Sequence, residues 1–244
     1  MIRAMEYSRV YGKWHQYDPA HILKLHRYFR RTTEHLLPRD RDARILEIGC
    51  GMGFYLMFLR DLGFRNIEGI DIDRGQVQGC RDRGLNVALV EDSAAYLKDR
   101  PESYDLILAF DLLEHLVPDR ALELCGRVFD GLKKGGRFLS TVPNASSALA
   151  GRLRYICWTH QTSFTEHSLD FLLYHAGFDD IRVFPSGSFL RPRLPFLVRP
   201  SVFRWLLLKA VRFPRRLEMI AELGLKEGRA VPLSPELLGV ADKR

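Results

Sequence analysis

The sequence predicts an α/β fold built on a mostly parallel β-sheet. Three observations carry that expectation. Short apolar runs alternate with amphipathic stretches over residues 43–143, a pattern that joins parallel strands through crossover helices. A glycine-rich turn follows the first apolar run directly and opens a helix. The helix candidates stop at Gly63, Gly84, Pro101 or the Gly135-Gly136 pair, residues that end helices for conformational reasons.

In chain order, Pro19 to Leu37 reads as a helix, with Pro19 at its start, Pro38 as its stop, and Ile22, Leu25, Phe29 and Leu36 as apolar positions. Before it, Tyr7, Tyr11, Trp14 and Tyr17 recur at helical spacing, either as core packing or as a lid over a ligand. Strands are expected at Arg44–Ile48, Asn66–Asp71, Asn86–Val90, Tyr104–Phe110 and Gly136–Val142. Helices are expected near Tyr55–Leu62, Gly75–Arg83, Ala94–Lys98 and Asp119–Leu132. A helix from Glu166 to Ala176, capped by Gly177, a strand from Asp179 to Phe184, and a last apolar run from Glu236 to Ala241 follow. These divide the chain into a helical, aromatic N-terminal part (1–42), a core (43–186), a basic amphipathic insertion (187–232) and a final strand of the core (233–244).

The chain has 244 residues, of which 46% are hydrophobic and 27% charged, which argues against disorder or a chain made mainly of membrane spans. Its net charge of +7 is local. Eight Lys and Arg and no acid lie between Gly187 and Arg216, leaving 29 basic against 30 acidic residues elsewhere. A nucleic-acid binder would carry its positive charge more widely, so nucleic acid is an unfavoured partner. Cys50, Cys80, Cys125 and Cys157 form no CxxC pair, which points to reduced thiols. With no apolar leader at Met1–Val10, the expected location is the cytoplasm, with an option for peripheral contact at the inner face of the membrane.

The run Glu47-Ile48-Gly49-Cys50-Gly51-Met52-Gly53 lets the backbone turn sharply, while the helix that follows offers free N–H groups. A pyrophosphate site would have G-x-G-x-x-G. Here an acid precedes G-x-G-x-G by two residues, which suits a ligand carrying positive charge. Asp71 closes the second strand, where an acid can accept both hydroxyl hydrogens of a ribose, and Asp92 closes the third, within reach of an adenine amino group.

These runs, with Gly69-Ile70-Asp71-Ile72-Asp73, Asp111-Leu112-Leu113-Glu114-His115 and Leu132 to Leu139, resemble the class I S-adenosylmethionine-dependent methyltransferases over about residues 40 to 186. The resemblance implies a Rossmann-like sheet of seven strands, the last antiparallel, with helices on both faces. It also implies S-adenosylmethionine as cofactor, with Gly49, Cys50, Gly51 and Gly53 of the loop at the methionine end, Asp71 at the ribose and Asp92 at the adenine side, and with Glu47, Ile72, Ser93 and Phe110 as further cofactor-binding residues.

Methyl transfer is an in-line displacement, so alignment and deprotonation of the acceptor supply most of the acceleration. Asp111, Glu114 and His115 follow the fourth strand and could hold Mg²⁺; ubiquinone-biosynthesis O-methyltransferases have a similar Glu-x-x-Glu-His run, with Asp111 replacing the first glutamate here. Alternatively His115 is a direct base, or the Glu-His pair staples a loop. His160, in Trp158 to Thr165, is a second candidate base. His167 reads as a capping or surface residue, and Asn144 as an acceptor-orienting group or a turn former.

Pro200 to Phe213 reads as a helix stopped by Pro214, with Phe203, Leu206, Leu207, Ala210 and Val211 on one side and Arg204, Lys209 and Arg212 on the other. It is a packing helix with a solvated basic face, an interfacial helix giving residues 187–216 membrane contact, or a clamp for a glycan or a homodimer contact. The expected activity is O-methylation of a small-molecule hydroxyl, first on a saccharide or lipid-linked glycan, second on a quinone or phenol. An RNA methyltransferase and a non-catalytic S-adenosylmethionine-binding protein are the rival readings.

Overall fold

The computed structural model describes residues 17–186 and 200–244. The expectations at Tyr7, Tyr11, Trp14, Arg191, Arg193 and Arg199 lie outside them. The chain begins with helix α1 (Pro19–Thr32), N-capped by Asp18, whose carboxylate accepts from the His21 N–H at 2.9 Å. It continues through β1 (Ile45–Ile48), α2 (Phe54–Asp61), β2 (Ile67–Asp71), α3 (Arg74–Arg81), β3 (Val87–Leu89), α4 (Ser93–Lys98), β4 (Tyr104–Phe110), α5 (Pro118–Gly131) and β5 (Leu132–Pro143). Then come α6 (Ala150–Tyr155), α7 (Glu166–His175), β6 (Asp180–Pro185), α8 (Pro200–Leu223), α9 (Leu225–Ala230) and β7 (Glu236–Asp242).

The strands form one sheet in the order β3-β2-β1-β4-β5-β7-β6. The first five are parallel, and β7 runs antiparallel between β5 and β6. The seven-stranded α/β expectation therefore holds. Central strands are apolar on both faces because both are covered. Ile45, Leu106, Leu108 and Leu139 meet Phe29, Tyr55 and Phe58 from α1 and α2. Leu46, Ile107, Ala109 and Phe138 meet Leu97, Leu124, Val128 and Leu169 from α4, α5 and α7. All four cysteines are free thiols.

The basic helix departs from expectation. Rather than stopping at Pro214, α8 runs through it to Leu223. Its continuation is held from outside. The Arg216 guanidinium donates to the carbonyls of Gly228 and Val231, and α9 packs so closely that a Cβ on Gly228 would lie 2.4 Å from the Met219 carbonyl oxygen. These contacts offset the hydrogen bond a proline cannot make. Nor does α8 bury its apolar side: Phe203, Leu206, Leu207 and Val211 are exposed, while Trp205, Leu208 and Arg212 line a groove toward the body. No helix of the described residues is long and apolar enough to cross a membrane.

Candidate active site

A cavity of about 840 Å³ opens at the C-terminal ends of the parallel strands, where open α/β sheets place their ligands. One end is built by the turn after β1. Gly49, Gly51 and Gly53 all have positive φ, at 68°, 54° and 71°, which a side chain would strain. Below them Glu47, placed on a fully buried strand, has an Oε2 without a hydrogen-bond partner. Burial, with Cys80 and Asp71 nearby, raises its carboxyl well above the usual range. Asp71 at the end of β2 accepts the Gly51 N–H at 2.8 Å and the Asp73 N–H at 2.8 Å, so its orientation is fixed by backbone. Tyr17 donates to the Met52 carbonyl at 2.8 Å under the Arg83 guanidinium, tying the start of the described chain to this turn.

Ile72, Ser93 and Phe110 line the same cavity, as does Cys50. Asp92 lines it too but is engaged, N-capping α4 through the Ala95 N–H at 3.0 Å and pairing with Arg120 at 2.7 Å. These contacts, the Ala95 bond foremost, hold its carboxyl below the usual range.

The other end gathers groups from distant parts of the chain. Asp111 has φ of 51°, uncommon for a residue with a side chain. Its N–H meets the Thr141 carbonyl at 3.0 Å, and the Thr141 hydroxyl donates to Asp111 Oδ1 at 2.9 Å. Asp111 is itself exposed on the cavity wall, but the protein packed around the cavity desolvates it, and this first, then Glu236, pushes its carboxyl up to about 7. Glu236 is raised by burial, partly offset by its bonds from Tyr28 and Ser186, each 3.3 Å. The sequence reading missed Tyr28, Thr141, Ser186 and Glu236. For Glu236 a signal existed: an antiparallel last strand starts where the parallel ones end, and Glu236 pairs with Pro143 at that edge.

The two candidate histidines meet, with ring centroids 4.6 Å apart and planes nearly perpendicular. Only His115 lines the cavity; His160 stands behind it, its Nδ1 2.8 Å from the Leu153 carbonyl. His115 Nδ1 lies 2.7 Å from the Thr159 hydroxyl, and the Gln161 and Thr162 N–H groups donate to the Glu114 carbonyl. This is a stapled loop. Burial, followed by His160, lowers His115 to about 4, and burial lowers His160 as well, so both favour the neutral form.

Asp111, Glu114 and His115 do not converge as metal ligands. The Glu114 side chain points into the core, 1% exposed, with Oε2 unpartnered. Among the described residues the group that does converge is His115, Cys157 and His160, one ligand atom from each lying within 4.8 Å of the others. Asn144 is no cavity group. Its amide donates to the carbonyls of Pro232 and Ser234, both at 2.8 Å, fastening β5 to the approach of β7. The His167 side chain is 92% exposed, and Thr165 rather than His167 caps α7.

The sheet order, the glycine turn with its buried acid and the strand-end Asp71 together define a class I S-adenosylmethionine-dependent methyltransferase. The chain belongs to the methyltransferase-domain family, which it matches over residues 14–183. It is 30% identical over 171 residues to a probable S-adenosylmethionine-dependent methyltransferase of Mycobacterium tuberculosis, covering 68% of this chain and 60% of that protein. It is 28% identical over 162 residues to the ubiquinone biosynthesis O-methyltransferase of Chelativorans, covering 60% of this chain and 61% of that one. The chain thus spans about 60% of the length of the curated relatives it matches. Among solved structures, an S-adenosylmethionine-dependent methyltransferase of Archaeoglobus fulgidus shares the fold at a TM-score of 0.68 and 21% identity, over 98% of this chain and all of that one.

The cavity's residues fit S-adenosylmethionine. The orphaned Glu47 Oε2 suits the ammonium of its methionine part, and Asp71 has lone pairs left for ribose hydroxyls.

Proposed function

We propose that the chain methylates a hydroxyl of a small acceptor, first a saccharide or lipid-linked glycan, with Asp111 taking the proton. When bound, S-adenosylmethionine supplies an electrophilic methyl group on a sulfonium. The chain's own part is to fix the acceptor and remove its proton. The observation that carries the reading is the Asp111 carboxyl, held by Thr141 on the cavity wall and raised to about 7. A base near the working pH is partly ionised yet strong enough to accept a proton, a balance that His115, lowered to about 4, lacks. Tyr28, Ser186, Thr141 and Glu236 add donors and acceptors that suit a polyhydroxylated acceptor. His115 and His160 become positioning residues for the loop after β4.

A quinone or phenol acceptor is the second reading, favoured by the likeness to a ubiquinone biosynthesis O-methyltransferase. A tritiated-methyl screen over sugars, phenols and RNA, run with wild type and Asp111→Asn, tests both. The expected result is labelled sugar, with kcat lowered about 10²- to 10⁴-fold in the variant. Unchanged kcat in Asp111→Asn would discard it as the base, and labelled phenol alone would select the second reading.

A further inference from the structure

Behind the acceptor end lies a second cavity, about 580 Å³, between α8 and the Val231–Pro235 segment. Ser186 lines both cavities, so the groove opens beside Glu236 and Tyr28. Its lining is one-signed. Lys209, Arg212, Arg216 and Arg229 contribute to it, and among the described residues no acid does.

The cations differ in how they are used. Arg216 is spent on the carbonyls of Gly228 and Val231, which leaves it a structural clamp. Lys209 sits 5.6 Å from the Trp205 ring centre, which gives an aromatic wall beside a charge. Arg212 is half-buried, and among the described residues it has no ion pair or hydrogen bond. Burial pulls its pKa below the usual arginine value with no carboxylate to restore it. A partly desolvated guanidinium without a partner is costly, and such a cost is met by a ligand that brings the missing charge. A guanidinium fork matches a phosphate geometrically, with a lysine beside it as a second point charge.

We infer that the groove under α8 binds a phosphate or diphosphate carried by the methyl acceptor, with Arg212 and Lys209 as its ligands, while the hydroxyl to be methylated reaches Asp111 past Ser186. The inference rests on the hydroxyl-methylation reading for the placement of the acceptor, but phosphate binding is measurable without turnover. The same group is present on soluble sugar phosphates and on diphosphate lipids, and the exposed apolar side of α8 gives a lipid tail somewhere to lie.

The test is calorimetric titration of the full chain with pyrophosphate and with geranyl diphosphate below its micelle concentration, at low salt. Pyrophosphate should bind one to one, and Arg212→Gln and Lys209→Gln should each weaken it about tenfold or more. S-adenosylmethionine binding should stay as in wild type, because neither residue touches that end of the molecule, and the melting temperature should not fall, because Arg212 has no partner to lose among the described residues. A gain in affinity from the geranyl tail assigns the group to a lipid-carried acceptor, and equal affinities assign it to a soluble one. No pyrophosphate heat at low salt, or equal binding by Arg212→Gln, overturns the inference. Methylation of a neutral sugar without pyrophosphate binding would sink the groove and leave the reaction standing; pyrophosphate binding without methylated product would do the reverse.

Discussion

Glu47, buried in the sheet, and Asp111, exposed on the cavity wall, are both carboxyls pushed upward by desolvation, yet their surroundings give them opposite tasks. Glu47 lacks a partner on Oε2 and burial favours its protonated form, so an arriving ammonium should draw it toward the ionised one. Calorimetry of S-adenosylmethionine binding in two buffers of different ionisation enthalpy should reveal net proton release at pH 7, absent in Glu47→Gln; no proton exchange in wild type would refute it. For Asp111 the sign is fixed by its raised value. Its contribution to stability is fully present below its ordinary value of 3.8 and is lost as pH rises through about 7. Asp111→Asn should therefore melt higher than wild type at pH 8 while losing the acid limb of the rate profile, and a lower melting temperature there would contradict this. Because Asp111, Glu114 and His115 diverge, Mg²⁺ added to chelator-treated protein should not raise turnover, and a rise would reverse that expectation. Glu47 and Asp71 were legible in the sequence because a local turn dictates their surroundings. The placement of His160 behind His115 was not, since it depends on loop hydrogen bonds to Glu114 that no spacing encodes.

Most strands and helices were readable to within two residues because both faces of the sheet are covered, so burial writes itself as apolar runs; the exceptions are β5, which begins at Leu132 and not Gly136, and α1, which ends at Thr32 and not Leu37. Two short helices, α6 and α9, carried no such signal, and α8 misled because Pro214 is a local stop overruled by tertiary contacts. The join of α8 to α9 should accordingly be fragile at one point. Gly228→Ala would place a methyl 2.5 Å from the Ile220 Cα, and the expected cost is about 1–3 kcal/mol, seen as a lower melting temperature with S-adenosylmethionine affinity unchanged. A neutral melt would show that α9 can slide away from α8. Asn144→Ala should cost on the order of 1–3 kcal/mol, because it orphans the buried carbonyls of Pro232 and Ser234.

At the scale of the whole molecule, the charge excess and the outward apolar side of α8 belong to one region. That pairing matches an interfacial helix, and the full chain is expected to float with anionic vesicles at low salt and to detach as salt rises. Phe203→Glu with Leu207→Glu should abolish flotation without altering the melt, since both positions are exposed; flotation that survives the double variant would place the contact elsewhere. The position of β7 has a different consequence, one of timing. As the ribosome delivers the chain, β1 to β5 can pair before the rest exists, and the nucleotide end of the cavity comes with them. The later β6 has no neighbour until β7 emerges and slots between it and β5. Glu236 arrives with that strand, so the wall of the cavity opposite the glycine turn is completed last.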